Sequence, residues 1–508
     1  MADIILTTLN AKYVHSGFGL RYLLANLGDL QSCSVLREFD INQRPIEVAE
    51  ALLADEPRII GLGVYIWNVT PLTELATLLK RLRPDLILIA GGPEVSFPDD
   101  LPPFARLVDY IITGEADLKF RELCRQILDG NPPKEQLIPA SPPNPDHLVL
   151  PYSFYTPQDL NHRIVYLETS RGCPFRCEFC LSALDSGVRL FPLTRILSAL
   201  ENLWNQGCRR FKFVDRSFNI TRDHYDGFLN FFLGRSEPGL FLHFEIIPDR
   251  LTPAQIELAA QFPRGTLQFE VGIQTFNPSV AERIQRHQDY RQLEQVMRHL
   301  REDTGVHLHA DLIVGLPGET LDSFAEGFDR LVFWNPHEIQ VGILKRLRGC
   351  LIQRHDQEWQ MIYHSAAPYE LLQNKLLPFL LLQRLKRFAR FWDLVANSGN
   401  FHSSHRMIWQ DASSPFHAFL EFSDWLFHRL RRQHGIALTR LVEELYFYLT
   451  GVLRQPSAQV VSSLADDLRR CGRTEIPPSL KAVFPTLSSS RTQPNTHPPP
   501  RQQRHQGV

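Results

Sequence analysis

Cys173, Cys177 and Cys180 stand within eight residues of one another, in the run Arg171-Gly172-Cys173-Pro174-Phe175-Arg176-Cys177-Glu178-Phe179-Cys180. Thiolates at this spacing can wrap one side of a 4Fe–4S cubane and leave one iron without a protein ligand. The competing reading is zinc. Structural zinc takes four ligands, usually in two pairs, and no further Cys or His follows Cys180 until Cys208. Phe179, next to the last cysteine, is placed to shield such a cluster, or else simply packs in the core. Only eight cysteines occur in 508 residues and three of them cluster here. That is the pattern of a metal site in a reducing compartment, not of a disulfide framework.

The cysteines follow a short apolar run, so the next question is which elements hold them. From 160 to 350 the pattern alternates strand and helix. Strands are expected at Ile164–Glu168, Arg210–Val214, Leu240–Ile246, Leu267–Gly272, Val306–Ile313 and Ile339–Leu344. Six such units imply a partial (β/α)6 barrel with its chemistry at the carboxyl ends of the strands. Glu245, Gln274 and Asp311 are expected at three successive ends, with Arg286 in the helix after Gln274. Gly315, Pro317 and Gly318 follow as a turn.

Residues 1–132 also alternate, with strands expected at Asp3–Leu6, Val35–Phe39, Arg58–Val64, Leu86–Ala90 and Tyr110–Thr113. Short apolar strands separated by amphipathic helices imply a parallel, doubly wound, flavodoxin-like α/β domain. Residues 133–159 are proline-rich and read as a linker. Residues 351–483 read as a helical domain, where Phe416, Phe419, Phe422 and Trp425 recur at core spacing. Residues 484–508, with Ser488-Ser489-Ser490 and Pro498-Pro499-Pro500, lack the apolar content to fold.

A net charge of −2 argues against general nucleic-acid binding. No basic stretch followed by a long apolar run opens the chain, and no run is long enough to span a membrane. A cytoplasmic location follows as the expectation.

With these anchors the stretch from about 160 to 345 resembles the radical S-adenosylmethionine superfamily. The resemblance implies that Cys173, Cys177 and Cys180 hold a 4Fe–4S cluster. S-adenosylmethionine then chelates the open iron and is cleaved to a 5′-deoxyadenosyl radical. It further implies that Phe179, Glu245, Gln274, Arg286, Asp311 and Gly315 contact S-adenosylmethionine. Ribose hydroxyls call for acceptors and a carboxylate for a cation. Singly, each residue would serve as a strand-end cap or surface charge; together they favour the ligand.

The leading domain resembles the cobalamin-binding domain of one branch of that superfamily. The pieces that match are Gly17-Phe18-Gly19, Gly61-Leu62-Gly63, Ala90-Gly91-Gly92-Pro93-Glu94 and Thr113-Gly114-Glu115. Cobalamin contacts are thereby expected from Gly19, Gly91, Gly92, Gly114 and Glu115, with His15 as the only candidate cobalt ligand. Around His15 the Asp-x-His-x-x-Gly pattern of histidine-ligating relatives is missing, so an unligated lower face is expected. Methylthiotransferases carry a second three-cysteine cluster in this domain, where this chain has only Cys33 and Cys124. The carboxy-terminal part resembles a subgroup with a domain of no assigned role, and His337, Glu338 and Lys345 are expected near substrate.

These resemblances imply an enzyme that methylates an unactivated carbon using the cluster, S-adenosylmethionine and cobalamin. A rearrangement or cyclisation without methyl transfer is the second reading, and a non-catalytic cofactor-binding protein the third. A reductant such as flavodoxin or ferredoxin is the expected partner.

Overall fold

The computed structural model describes residues 2–185, 187–473, 475–484 and 500–505. The chain divides into two compact units. The first is residues 1–216 with 345–353 and 363–370; the second is 217–344 with 354–362 and the chain from 371 onward.

The first unit opens with β1 (Ile4–Asn10), α1 (Phe18–Ala25), β2 (Ser34–Asp40), α2 (Pro45–Leu53), β3 (Ile59–Gly63), α3 (Val69–Leu82), β4 (Ile87–Gly91), β5 (Tyr110–Gly114), α4 (Lys119–Leu128) and β6 (Leu137–Ala140). The strands form one parallel sheet in the order β2-β1-β3-β4-β5-β6. Alternation along β1 explains the double winding. Ile5 and Leu9 face a core built with α2 and α3, while Ile4 and Leu6 face one built with α1 and α4. A sheet covered on both faces must be apolar at nearly every strand position, which is why the pattern is legible. β6 corrects the linker expectation: Leu137 to Ala140 pair in parallel with Ile111 to Gly114. Pro139 is tolerated there because an edge strand can lack one N–H.

The same unit continues through α5 (Pro157–His162), β7 (Val165–Leu167), β8 (Ser170–Arg171), β9 (Arg189–Leu190), α6 (Leu193–Asn205) and β10 (Arg210–Phe213). β7 and β10 are parallel, and β8 pairs antiparallel with β9.

In the second unit α7 (Arg222–Leu233), β11 (Phe241–Glu245), α8 (Pro253–Ala260), β12 (Leu267–Gln274), α9 (Pro278–Arg283), α10 (Tyr290–Asp303), β13 (His307–Val314), α11 (Leu321–Trp334) and β14 (Glu338–Ile343) alternate. β11 to β14 run parallel in chain order. All six strands expected of the partial barrel are thus present and α/β. Along β12 the apolar residues Leu267, Phe269, Val271 and Ile273 are fully buried, while Gln268, Glu270, Gly272 and Gln274 share the other, half-buried face. Period-two alternation gives the barrel strands one polar face on which chemistry can be built.

Helices α12 (Phe379–Trp392), α13 (Pro415–Leu430), α14 (Leu438–Phe447) and α15 (Ser457–Arg470) follow. Phe328, Phe388, Phe416 and Phe419 pack ring to ring with one another and against Trp392 at 4.7–5.7 Å, the core that the spacing of Phe416 and Phe419 implied. The tail expectation falls largely on residues 485–499 and 506–508, which lie outside the described residues. Within it, residues 500–505 form the short helix α16, where Arg501 donates to the Asn397 carbonyl and pairs with Glu338. Among the described residues no helix is long and apolar enough to cross a membrane.

Candidate functional site

The cysteine loop is fixed at its root by buried polar bonds. Asp215, directly beyond β10, accepts from the Thr169 N–H at 3.0 Å, the Thr169 hydroxyl at 2.7 Å and the Ser170 hydroxyl at 2.5 Å. Burial pushes the Asp215 carboxyl upward, and these donors oppose that. Arg171 then reaches Asp117 through two guanidinium N–H bonds (2.8 and 3.0 Å), Glu115 at 2.7 Å and Glu168 at 3.1 Å, and lies over the Tyr22 ring at 4.8 Å. A guanidinium held by three carboxylates stays charged and orients the backbone leading into the cysteines. Gly172 takes φ +88°, and a β-carbon there would meet the Gly187 carbonyl. Only glycine fits.

Beyond it Cys177 is buried and Cys173 and Cys180 are half-buried; none of the described cysteines is in a disulfide. The Cys180 N–H donates to the Cys177 carbonyl at 3.0 Å, closing the turn. Phe179 is half-buried within it. Ile352 N–H donates to the Glu178 carbonyl at 2.9 Å, so the segment after β14 clasps the loop. That segment carries a residue sequence reading missed. Cys350 is 1% exposed, and burial, with the Cys180 charge next in effect, pushes its thiol to about 12. Among the described residues no three His, Cys, Asp or Glu side chains gather to hold a single metal ion. A cubane takes one thiolate per iron, so its ligands surround it and need not converge on one point.

A cleft of about 790 Å³ opens in the same unit, over the carboxyl ends of β3, β4 and β5. Gly19, Gly61, Gly63, Gly91, Gly92 and Gly114 line it, with Leu20, Leu62, Ile89, Ile112 and Phe120 as its apolar wall. The stacked pair Tyr65 and Trp67 (4.5 Å) flanks it, Tyr65 lining the cleft. Doubly wound sheets bind ligands at this edge.

The glycines have different reasons. Gly92 sits at φ +108°, and a β-carbon would lie 2.5 Å from the Val64 carbonyl; at Gly114 (φ +82°) it would lie 2.7 Å from that of Ala140. At Gly92 and Gly114 the protein's own backbone therefore forbids a side chain, whatever the cleft holds. A β-carbon at Gly91 would meet nothing closer than 3.7 Å, and one at Gly19 nothing closer than 3.5 Å, so these two leave the cleft open by choice of side chain alone. Glu115 and His15 are not in the cleft. The Glu115 carboxylate is taken by Arg171 and Arg189. His15 Nδ1 lies 2.6 Å from the Tyr166 hydroxyl, and burial lowers its pKa.

In the second unit the expected strand-end residues gather in part. Glu245 ends β11 and Gln274 ends β12. Gln274 takes φ +72° at a bulge, which turns its side chain over Gly272, 2.5 Å from where a β-carbon would stand. Arg286 and Gln288 both donate to the Gly272 carbonyl, the latter at 2.9 Å. Gly272 stands opposite Asp311 across the ladder, so Gln274, Arg286 and Asp311 surround one point of the sheet. Two positions differ from expectation. Arg286 lies in the loop between α9 and α10, and Asp311 stands three residues before the end of β13. Gly315 takes φ +96° and packs against Leu371, and its carbonyl accepts from Asn374 at 3.2 Å. Sequence reading also missed the polar face behind these residues, where His243 Nε2 lies 2.7 Å from Glu270. Only the two-residue alternation could have flagged it.

Residues 4–124 match the B12 binding domain, 167–331 the Radical SAM superfamily and 357–481 a protein of unknown function, DUF4080. The chain carries a radical SAM domain behind a B12-binding domain. The cobalamin-dependent radical SAM methyltransferase TokK of Streptomyces tokunonensis is 26% identical over 449 residues, which are 80% of this chain and 63% of that one. The 2-(S-pantetheinyl)-carbapenam-3-carboxylate methyltransferase of Streptantibioticus cattleyicolor is 27% identical over 56% of this chain and 46% of its own. The chain thus spans less than two thirds of either relative. The solved structure of the radical S-adenosylmethionine methyltransferase TsrM from Kitasatospora setae, with cobalamin and a [4Fe-4S] cluster bound, aligns at TM-score 0.54 and 18% identity. It covers 69% of this chain and 74% of that one, a likeness of fold.

The B12-binding domain ends before the cysteine loop, yet Arg171 at the start of the radical SAM domain bonds Glu115 and Asp117 at the end of it. The residues present suit both groups. Three unbridged thiols lie on a pinned loop, and the glycine-floored apolar cleft is lined by no histidine among the described residues. His337 and Glu338 precede or open β14, at its amino end, and so are not at the end expected to meet substrate. The Lys345 backbone forms an isolated antiparallel bridge with that of Glu370.

Proposed function

We propose that this protein is a cobalamin-dependent radical S-adenosylmethionine enzyme that methylates an unactivated carbon. The observation that carries the reading is Arg171, which ties the root of the cysteine loop to the rim of the glycine-lined cleft within one compact unit. When bound, the cluster reduces S-adenosylmethionine and cobalamin carries the methyl group. The chain's own residues do the rest. Cys173, Cys177 and Cys180 hold the cluster, and Phe179 screens it from water. Gln274 and Asp311 accept hydrogen bonds from the sugar of the S-adenosylmethionine, Arg286 neutralises its carboxylate, and Glu245 and Gly315 border it. The apolar wall of the cleft, with Leu62, Ile89 and Ile112, would exclude water from a bound corrin.

The cluster requires a reduced compartment and an electron donor, so a cytoplasmic location and a flavodoxin or ferredoxin partner go with the reading. Anaerobic reconstitution with iron, sulfide and cobalamin tests it. Each chain should take up one cobalamin and one cluster and release 5′-deoxyadenosine. Product mass decides between methylation, which adds one carbon, and cyclisation or rearrangement, which adds none. Absence of cobalamin uptake would overturn the proposal.

A further inference from the structure

The second unit holds another cavity, of about 1030 Å³, at the amino ends of β13 and β14. It lies away from the carboxyl ends where Gln274 and Gly315 stand. Arg301, His337, Trp392, His402, Arg406 and Trp409 line it, and no Asp or Glu does among the described residues.

Its lining is cationic; the nearest carboxylates, Glu302 by Arg301 and Glu338 at 3.8 Å from His505, stand outside it. Asn335, in the left-handed conformation that ends α11, gathers both guanidinium groups. Its carbonyl accepts from Arg301 at 2.9 Å and its side-chain oxygen from Arg406 at 2.8 Å. Among the described residues neither arginine has an ion-pair partner; burial, then Arg406 and Arg264, lowers the Arg301 pKa. His402 is held down to about 4 by burial and then by Arg470, Arg406 and Arg301. His337 Nδ1 accepts from the Leu308 N–H at 3.0 Å, which leaves its Nε2 to carry the proton.

An independent observation points the same way. Trp392 is 4% exposed, lines the cavity, and its indole N–H has no acceptor. A buried orphan donor costs free energy unless something accepts from it. Trp392 also stacks on Trp409 at 5.5 Å and 25°, which presents a flat apolar wall beside the cations. Converging donors with no carboxylate among them bind anions, and a stacked indole wall binds rings.

We infer that this cavity is a second ligand site, which takes a small molecule bearing an anionic group, phosphate or carboxylate, joined to an aromatic ring. The inference is independent of the chemistry proposed for the first site.

Calorimetric titration of the full-length protein with phenyl phosphate, benzoate and inorganic phosphate tests it; none of these resembles an adenosyl ligand. The expected result is one site per chain for phenyl phosphate or benzoate, bound at least tenfold more tightly than inorganic phosphate. Which of the two binds better names the anionic group. The double variant R301Q/R406Q should weaken binding at least tenfold, and Trp409→Ala should erase the preference for a ring. Tryptophan fluorescence, which the ligand should change in wild type, gives a second readout should the double variant fold poorly. No binding by any of the three probes, or binding unchanged in both variants, would overturn the inference.

Discussion

A thiol ligates iron only as the thiolate, and burial in an apolar wall opposes that charge. Cys350 is buried with its thiol pushed to about 12, whereas Cys173, Cys177 and Cys180 belong to the pinned loop beyond Arg171. Replacing any of these three by Ala should remove iron and abolish 5′-deoxyadenosine formation. Cys350→Ala should keep wild-type iron content, and a loss equal to that of Cys177→Ala would make Cys350 a ligand. Glu319 supplies the other residue-scale expectation. It is 1% exposed and accepts from the Thr275 hydroxyl at 2.6 Å, and burial raises its carboxyl to about 7. A carboxyl with a folded pKa above its unfolded one costs nothing when both states are protonated. It destabilises the fold progressively as pH rises from about 4.3 to 7, and by a constant amount above that, here roughly 3 kcal/mol. Glu319→Gln should remove this slope. The check is the urea midpoint of variant and wild type at pH 5 and pH 8: the variant's advantage should grow with pH, and a constant difference would contradict it.

At the scale of elements, glycine positions separate backbone demands from ligand demands. Gly92→Ala forces a β-carbon against the Val64 carbonyl at positive φ, so the turn after β4 must move. Gly91→Ala meets no protein atom closer than 3.7 Å and only adds a methyl group to the cleft. If the cleft holds cobalamin, both variants should weaken cobalamin binding, yet only Gly92→Ala should also lower the melting temperature. Wild-type affinity in Gly91→Ala would place the corrin elsewhere. The same contrast shows what the sequence could tell. Strands covered on both faces, such as β1 and β3, open on apolar runs and are legible there, although β1 runs on through Thr7, Thr8 and Asn10 beyond the expected Leu6. β6 is hidden by Pro139 and by the prolines on either side of it. Arg286 falls in a loop instead of a helix, and Asp311 stands three residues short of its strand's end, because element ends shift by residues that periodicity cannot resolve. Cys350 and the ion pairs of Glu115 depend on contacts between segments far apart in sequence, which no local pattern encodes. His337 precedes β14 in the expected bounds as in the structure, so the direction of the strand alone sets it at the amino end, away from the carboxyl ends where chemistry was expected.

At the scale of the whole molecule, the reading separates two jobs, S-adenosylmethionine cleavage and methyl transfer, and this gives a test by dissection. The cobalamin cleft and the cysteine loop belong to the first unit, while Gln274, Arg286 and Asp311 belong to the second. S-adenosylmethionine cleavage needs the cluster and the strand-end residues but no corrin; methyl transfer needs all of them. Gly91→Ala should therefore keep the cleavage rate near wild type while methylated product falls. Gln274→Ala should lower both together, with S-adenosylmethionine affinity reduced roughly tenfold to a hundredfold if the lost bond is worth about 1.5–3 kcal/mol. Gln274 also sits at φ +72°, so Ala there adds backbone strain. Gln274→Gly removes the side chain and relieves the strain. If the side chain is what matters, the Gly and Ala variants should lose affinity alike; if the backbone matters, only Ala should. Rates of 5′-deoxyadenosine and of product, measured in one anaerobic assay by mass spectrometry, give both numbers. A parallel fall of cleavage and methylation in Gly91→Ala would show that the cleft is coupled to the radical step and that the two jobs are not divided as proposed.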